Sequence, residues 1–322
     1  MKRTNDSLET ILEWILSAEK IALAGHINPD GDAIGACLAL GGALEKQGKQ
    51  VAVYLEEYAE KYRVIPNGHL VRAWDEREQP DLFIALDCGD EGRLGDAAEF
   101  LRTVEKTVNI DHHMSNTMFG RLNYADTEAS SASEIVYRLL DGKIPITADE
   151  AAGLYVGLIY DTGGFRHSST SPETMRIAGE LIGYGIPFTS LYNRFFDARS
   201  FTELKIMGKA LENAELFCDG KLICSTITQA EIDACGGTNK ELDAIINYLK
   251  GVLGTKVACF LYEKTETDVK GSFRGNDGYD VCALAQKFGG GGHIKAAGCT
   301  IQEPIAQAKE RVLQEVRRMY FS

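Results

Sequence analysis

The chain predicts an α/β protein. An N-terminal doubly wound, mainly parallel sheet with helices on both faces is expected, followed by a smaller C-terminal α+β domain. Three observations carry this expectation. Over the first half, short apolar runs alternate with segments of helical period. One of those runs, Asp81 to Asp87 (DLFIALD), has no polar alternation, as a strand buried on both faces requires. The chain has 322 residues, 44% hydrophobic and 25% charged, which suits two domains of ordinary globular composition.

The elements follow in order. Leu8, Ile11, Leu12, Ile15 and Leu16 trace one face of a helix, with Asp6 or Ser7 as its cap. A strand over Ile21–Ala24 ends at His26. A helix from about Ala33 to Gln47 stops at Gly48. Val51–Leu55, Asp81–Asp87 and Thr107–Asp111 read as strands, and Ala132–Leu140, Ala148–Ile159 and Pro172–Gly183 as helices. Around Ile186–Phe201 the period breaks. We place domain boundaries there: 1–185 for a catalytic domain, 186–203 for a linker and 204–322 for a substrate-binding domain. In the last part, Lys221–Thr228 and Val257–Glu263 read as strands, Gly271–Arg274 lies on or beside another, and Asn239–Leu249 and Ile305–Met319 read as helices.

Charge narrows the function. Net charge is −13, which disfavours coating of long duplex nucleic acid, a task that needs many Lys and Arg contacts to phosphates. Residues 1–200 carry 19 Lys and Arg against 31 Asp and Glu, while residues 201–322 carry 15 against 16. Bound cations are one reason for such a local acidic excess. No apolar run approaches the ~20 residues of a membrane span, and the N-terminus does not read as a signal peptide. The eight cysteines form no C-x-x-C pair. They read as free thiols in a reducing cytoplasm.

Four short segments concentrate chemistry: His26-Ile27-Asn28-Pro29-Asp30-Gly31-Asp32, Leu86-Asp87-Cys88-Gly89-Asp90, Ile110-Asp111-His112-His113 and Tyr160-Asp161-Thr162-Gly163-Gly164. The first three follow predicted strands, whose carboxyl ends share one crevice in an open parallel sheet. Each alone has a plain structural reading as a turn or a helix cap. Together they gather five carboxylates, of Asp30, Asp32, Asp87, Asp111 and Asp161, with the imidazoles of His26, His112 and His113. Such a group repels itself unless solvated, protonated or neutralised. Two divalent cations would neutralise most of it, and mixed imidazole and carboxylate donors favour Mn²⁺, Zn²⁺ or Fe, of which we expect Mn²⁺. A metal pair with a shared carboxylate, here Asp87, suits phosphoester hydrolysis.

With these segments the sequence resembles the DHH phosphoesterase superfamily over nearly its whole length. HINPDGDAIG, LDCGD, IDHH and YDTGGF match that family's motifs in order, and GGGGHIKAAG is similar to the glycine-rich signature of its associated C-terminal domain. The absence of membrane or sensor segments resembles the soluble nanoRNase group. That resemblance implies hydrolysis of short RNA oligonucleotides to mononucleotides, and of pAp to AMP, in an interdomain cleft. It implies one metal ion on His26, Asp30 and Asp87 and another on Asp32, Asp87, His112 and Asp161. Asp111 would orient an imidazole, and His113 would face the scissile phosphate, making Asp87, Asp111 and His113 the catalytic set. Substrate would be held by Arg274, His293 and the backbone of Gly289, Gly290, Gly291 and Gly292, with Lys287 and Lys295 assisting or merely solvated. Arg166 and His167 touch substrate or face solvent. No membrane partner is expected, and a homodimer is compatible with the reading.

Other readings remain. Cyclic-di-AMP or pApA would use the same metals. A RecJ-like single-strand exonuclease is longer and carries an added domain, and an inorganic pyrophosphatase lacks the glycine-rich signature. A non-enzymatic nucleotide-binding regulator predicts damaged metal motifs, which are intact here. The glycine run is not a dinucleotide-binding loop, because it does not follow a strand in the required unit.

Overall fold

A computed structural model describes residues 5–75, 77–242 and 244–321. The chain divides into two compact units, Met1–Ala198 and Arg199–Ser322. No helix among the described residues is long and apolar enough to cross a membrane.

The first unit holds α1 (Leu8–Ser17), β1 (Lys20–Ala24), α2 (Gly31–Lys46), β2 (Gln50–Tyr54), β3 (Leu82–Leu86), α3 (Phe100–Thr103), β4 (Lys106–Asp111), β5 (Leu122–Ala125), α4 (Ala132–Leu140), α5 (Ala148–Asp161), α6 (Pro172–Gly183) and α7 (Phe188–Tyr192). The five strands pair in the order β2-β1-β3-β4-β5, all parallel. The chain leaves β1 toward β2 on one side and returns to β3 on the other. This reversal opens a crevice at the carboxyl ends of β1 and β3.

The two faces of this sheet are unequal. On one, α2 lies in the main core with α1, α4, α5 and α6; every residue from Gly31 to Leu44 is buried. Glycine lets α5 come close: a Cβ on Gly35 would stand 2.3 Å from the Gly153 carbonyl oxygen. The other face carries a smaller core under a 3-10 segment, Glu91–Glu99, and α3, with Phe83, Phe100 and Tyr54 at its centre. The tight crossing of α2 and α5 brings the N-terminus of α2 near the C-terminus of α5, which sets up the site.

β5 is absent from the sequence reading. It is a four-residue edge strand whose one fully buried residue is polar: Asn123, satisfied by both backbone groups of Gly120. The expected linker 186–203 is largely helical. It holds α7, a π turn over Asn193–Asp197 and the start of the next helix, and the division between units falls inside it.

The second unit contains α8 (Phe201–Glu212), β6 (Glu215–Phe217), β7 (Leu222–Ile227), α9 (Gln229–Cys235), α10 (Ile245–Lys250), β8 (Val257–Glu263), β9 (Val269–Gly275), α11 (Val281–Gln286), β10 (Gly291–His293), β11 (Ala296–Ile301) and α12 (Ile305–Tyr320). Its mixed sheet runs β10-β11-β9-β8-β7-β6, with only β7 and β8 parallel. The expected helix over Asn239–Leu249 is a 3-10 turn at Asn239–Glu241 followed by α10; residue 243 lies outside the described residues. Half of the glycine run is strand rather than loop, because Gly291 and Gly292 pair with β11. Gly290 must be glycine, since a Cβ there would stand 2.2 Å from the Gly298 carbonyl oxygen.

Candidate metal centre

The ends of β1, β3 and β4 supply the strand-borne groups. His26 follows β1 and is 5% exposed. Its Nδ1 is 2.8 Å from the Ile27 carbonyl oxygen, which turns Nε2 toward Asp30 Oδ1 at 3.8 Å and Asp87 Oδ2 at 3.6 Å. Asp30 caps α2, accepting from the backbone N–H groups of Asp32 and Ala33. Asp32 sits in the first turn, where the helix dipole favours a carboxylate. It is fully buried, and its two oxygens accept from the N–H groups of Ala132 and Ser133 at the start of α4 (2.6 and 2.9 Å).

Asp87 follows β3 and lies at the middle of the group. It is 1% exposed and holds a left-handed backbone conformation (φ 57°), uncommon for a non-glycine residue and costly unless the surroundings enforce it. Its N–H donates to the Ile110 carbonyl, which fixes it against β4. At the end of β4, Asp111 accepts from His113 Nδ1 at 2.7 Å and Asn116 Nδ2 at 2.6 Å. His112 Nε2 stands 3.4 Å from Asp87 Oδ1 and 3.0 Å from Asp161 Oδ2. Asp161 ends α5.

Three sets of side chains offer ligand atoms within 4.8 Å of one another: His26, Asp30 and Asp87; Asp32, His112 and Asp161; and Asp87, His112 and His113. Two buried atoms at the centre, Asp87 Oδ1 and His112 Nε2, have no partner in hydrogen-bonding geometry despite their proximity. Buried polar atoms without partners are costly, and a bound cation removes that cost.

The electrostatics agree. Burial pushes the Asp32 carboxyl well above its ordinary value, and the charges of Asp87 and Asp161 push it further. Burial raises Asp87 too, and His112 only partly offsets this. Burial pulls the His112 imidazole down, but the carboxylates of Asp161 and Asp87 outweigh it and raise it to about 11. Left to itself, the cluster holds protons to limit repulsion. Divalent cations do the same with more charge, and imidazole with carboxylate donors fits them.

Residues 20–158 match the DHH family, N-terminal domain, and residues 219–320 match the DHHA1 domain. A bifunctional oligoribonuclease and PAP phosphatase, NrnA, from Thermus thermophilus is 34% identical over 317 residues, covering 97% of this chain and 94% of its own. The chain belongs to the DHH family. A DHH relative of the same name, from Bacillus subtilis, is 28% identical over 299 residues, covering 90% of this chain and 92% of its own. Among solved structures, an exopolyphosphatase-related protein from Bacteroides fragilis matches with a TM-score of 0.80 and 26% identity, covering 97% and 96% of the two chains.

In this DHH chain, several supporting groups have no sequence signal. The N–H groups of Ala132 and Ser133 reach Asp32 across a hundred residues of chain. Asn116 bridges Asp111, Asn109 and the Cys88 carbonyl, and no spacing rule marks it. His167 Nδ1 is 3.1 Å from the Asp161 carbonyl oxygen, and Arg166 Nε donates to the Gly163 carbonyl. Both therefore brace the turn after α5 while remaining exposed. In the second unit, Arg274 on β9 faces Ala296 on β11, which in turn faces His293 on β10. The register thus places Arg274 and His293 on one face of the sheet.

Proposed function

We propose that this chain is a two-metal phosphoesterase that hydrolyses short oligoribonucleotides to mononucleotides and pAp to AMP. The observation that carries it is the pair of buried, unpartnered ligand atoms, Asp87 Oδ1 and His112 Nε2, inside a cluster of carboxylates and imidazoles. Similarity to a named oligoribonuclease and PAP phosphatase over 97% of the chain supports the substrate class.

His26, Asp30 and Asp87 would hold one ion, and Asp32, Asp87, His112 and Asp161 the other, with Asp87 shared. Mixed imidazole and carboxylate donors accept Mn²⁺, Zn²⁺ or Fe, and Mn²⁺ is the ion we propose. Divalent ions at such a site polarise a phosphoryl oxygen and supply a nucleophile at neutral pH. Asp111 holds His113 by Nδ1, so the ring presents Nε2 outward. The hydrogen bond to Asp111 also raises the His113 pKa, which keeps a proton on Nε2 to give to the leaving sugar oxygen. Arg274, His293 and the backbone of Gly289–Gly292 would take the anionic end of the substrate. Eight free cysteines, several of them buried, suit a cytoplasmic setting.

The test is a substrate panel with purified protein and Mn²⁺: pAp, RNA of two to five nucleotides, a 24-mer, cyclic-di-AMP, pApA and pyrophosphate. Mononucleotides from the shortest RNAs, with phosphate from pAp, are expected. Preference for cyclic-di-AMP or pApA would keep the chemistry and replace the substrate. Silence across the panel with metal bound would overturn the enzymatic reading.

A further inference from the structure

The start of α4 is bound into the metal centre. The first N–H groups of a helix have no partner inside it. In α4 the third of them, on Glu134, donates to the Ser131 hydroxyl at 3.1 Å, an ordinary cap. The first two, on Ala132 and Ser133, donate out of the helix to Asp32 Oδ2 and Oδ1. Asp32 therefore sits in the first turn of its own helix, α2, and at the N-terminus of α4 as well. Both helix ends favour a carboxylate there.

Other groups hold α4 in place. Buried Glu134 accepts from Ser130 Oγ at 2.6 Å and from Thr174 Oγ1 of α6 at 2.8 Å. The turn before α4 is thus tied to α6, and the two N–H groups are aimed at Asp32 by a frame that does not include it.

The Ser133 side chain is a separate matter. Its hydroxyl is fully buried and has no hydrogen-bond partner. Asp32 Oδ1 lies beside it: a Cβ on Gly157 of α5 would stand 1.9 Å from Ser133 Oγ and 2.5 Å from Asp32 Oδ1. The two oxygens share the space that a side chain at Gly157 would fill, one turn of α5 before Asp161. A buried hydroxyl without a partner costs stability. Alanine at 133 would remove that cost and keep both N–H bonds to Asp32, which come from backbone.

We propose that Ser133 is a positioning residue for the ion held by Asp32, His112 and Asp161. Its hydroxyl proton, free to rotate, goes to Asp32 Oδ1. With the Ala132 and Ser133 N–H groups it makes a cradle of three donors that fixes the carboxylate and leaves its other lone pairs to the ion. Hydrogen bonds to a ligating carboxylate orient it and tune metal affinity. The proposal rests on the two-metal reading above and adds a residue outside both ligand sets.

Two serines at the start of α4 make the test, because Ser130 Oγ serves Glu134 while Ser133 Oγ faces Asp32. Mn²⁺ binding to the full chain is measured by titration calorimetry after bound metal is removed, and Tm is measured in EDTA. Ser133→Ala should weaken one of the two Mn²⁺ sites about ten- to a hundredfold and leave the other within a small factor. Its Tm in EDTA should equal or exceed that of the wild type. Ser130→Ala should do the reverse. It leaves buried Glu134 one donor short, so Tm should fall by several degrees with both Mn²⁺ affinities near wild type. Wild-type Mn²⁺ affinity in Ser133→Ala overturns the proposal. So does a loss of affinity that comes with a fall in Tm in EDTA, which a purely structural hydroxyl would give. Equal weakening of both sites, or the same loss of affinity in Ser130→Ala, overturns it too. Failure of the two-metal reading is distinct: the wild type itself would bind fewer than two Mn²⁺.

Discussion

The candidate metal centre and the candidate substrate face are built on opposite plans. At the first, Asp32, Asp87, Asp111 and His26 are at most 5% exposed, and each is tied to backbone or side chains of its own loop or of another element. At the second, Gly291, Gly292 and His293 are exposed on an edge strand and Arg274 is partly buried with few ties. Chemistry on phosphorus needs donors held in place before substrate arrives, and burial with dense hydrogen bonding does that. Gripping the end of a varied polyanion needs access and positive charge instead. Substitutions in the first region should therefore act on kcat, and those in the second on KM.

The largest effect is expected at the point where both metal sets meet. Asp87→Ala should lower kcat by at least about a thousandfold at saturating Mn²⁺. It should also abolish the rise in Tm that Mn²⁺ gives the wild type, since a ligand bound only by the folded state stabilises it. Near-wild-type turnover in this variant would break the comparison at its root. Next comes Asn116→Ala, whose side chain bonds Asp111, Asn109 and the Cys88 carbonyl and none of the six side chains proposed to hold the two ions. It leaves the buried Asp111 carboxylate one donor short and loosens His113. A loss of about 10- to 100-fold in kcat with KM little changed is expected. An effect on KM alone would mean that Asn116 serves the loop and not the centre.

The contrasting variant is His293→Ala. A single exposed imidazole contacting phosphate should change KM by about tenfold and leave kcat within a small factor. A collapse in kcat here would erase the distinction between the two regions.

The same contrast explains what was legible in sequence. His26, Asp87 and Asp111–His113 stand directly after apolar runs, so strand ends could be placed and their convergence inferred from the rule for parallel sheets. Asp30, Asp32 and Asp161 came with them through short motifs. What holds these groups was not legible. The Ala132 and Ser133 N–H groups on Asp32 depend on where α4 lands. The left-handed backbone at Asp87 depends on its hydrogen bond to β4. β5, β6 and β10 are too short for hydrophobic period to mark them, and β10 is built largely of glycine. The segment 186–203 has no clean period because its π turn shifts the helical phase.

The smallest effect lies at the end of α2 away from the metal centre and tests whether the brace beneath that centre is only structural. At the end of α2 away from the site, Lys46 Nζ stands 2.8 Å from Glu150 Oε1, and Glu150 also accepts from the Thr147 backbone N–H at the start of α5. Glu150 is fully buried. Burial alone would raise its pKa, but Lys46 and Thr147 outweigh burial and hold it below the ordinary value. A depressed folded-state value means stability that is present above the unfolded pKa of about 4.3 and lost as pH falls through the lower folded value. Glu150→Gln should therefore cost about 2 kcal/mol at pH 7 by urea unfolding, with kcat and KM near wild type. The gap between variant and wild type should close below about pH 4, as the wild-type carboxylate takes up its proton. A gap that stays constant down to pH 3 would show that shape and not charge fastens α2 to α5. A fall in kcat would show instead that the crossing of these helices is tuned from its far end.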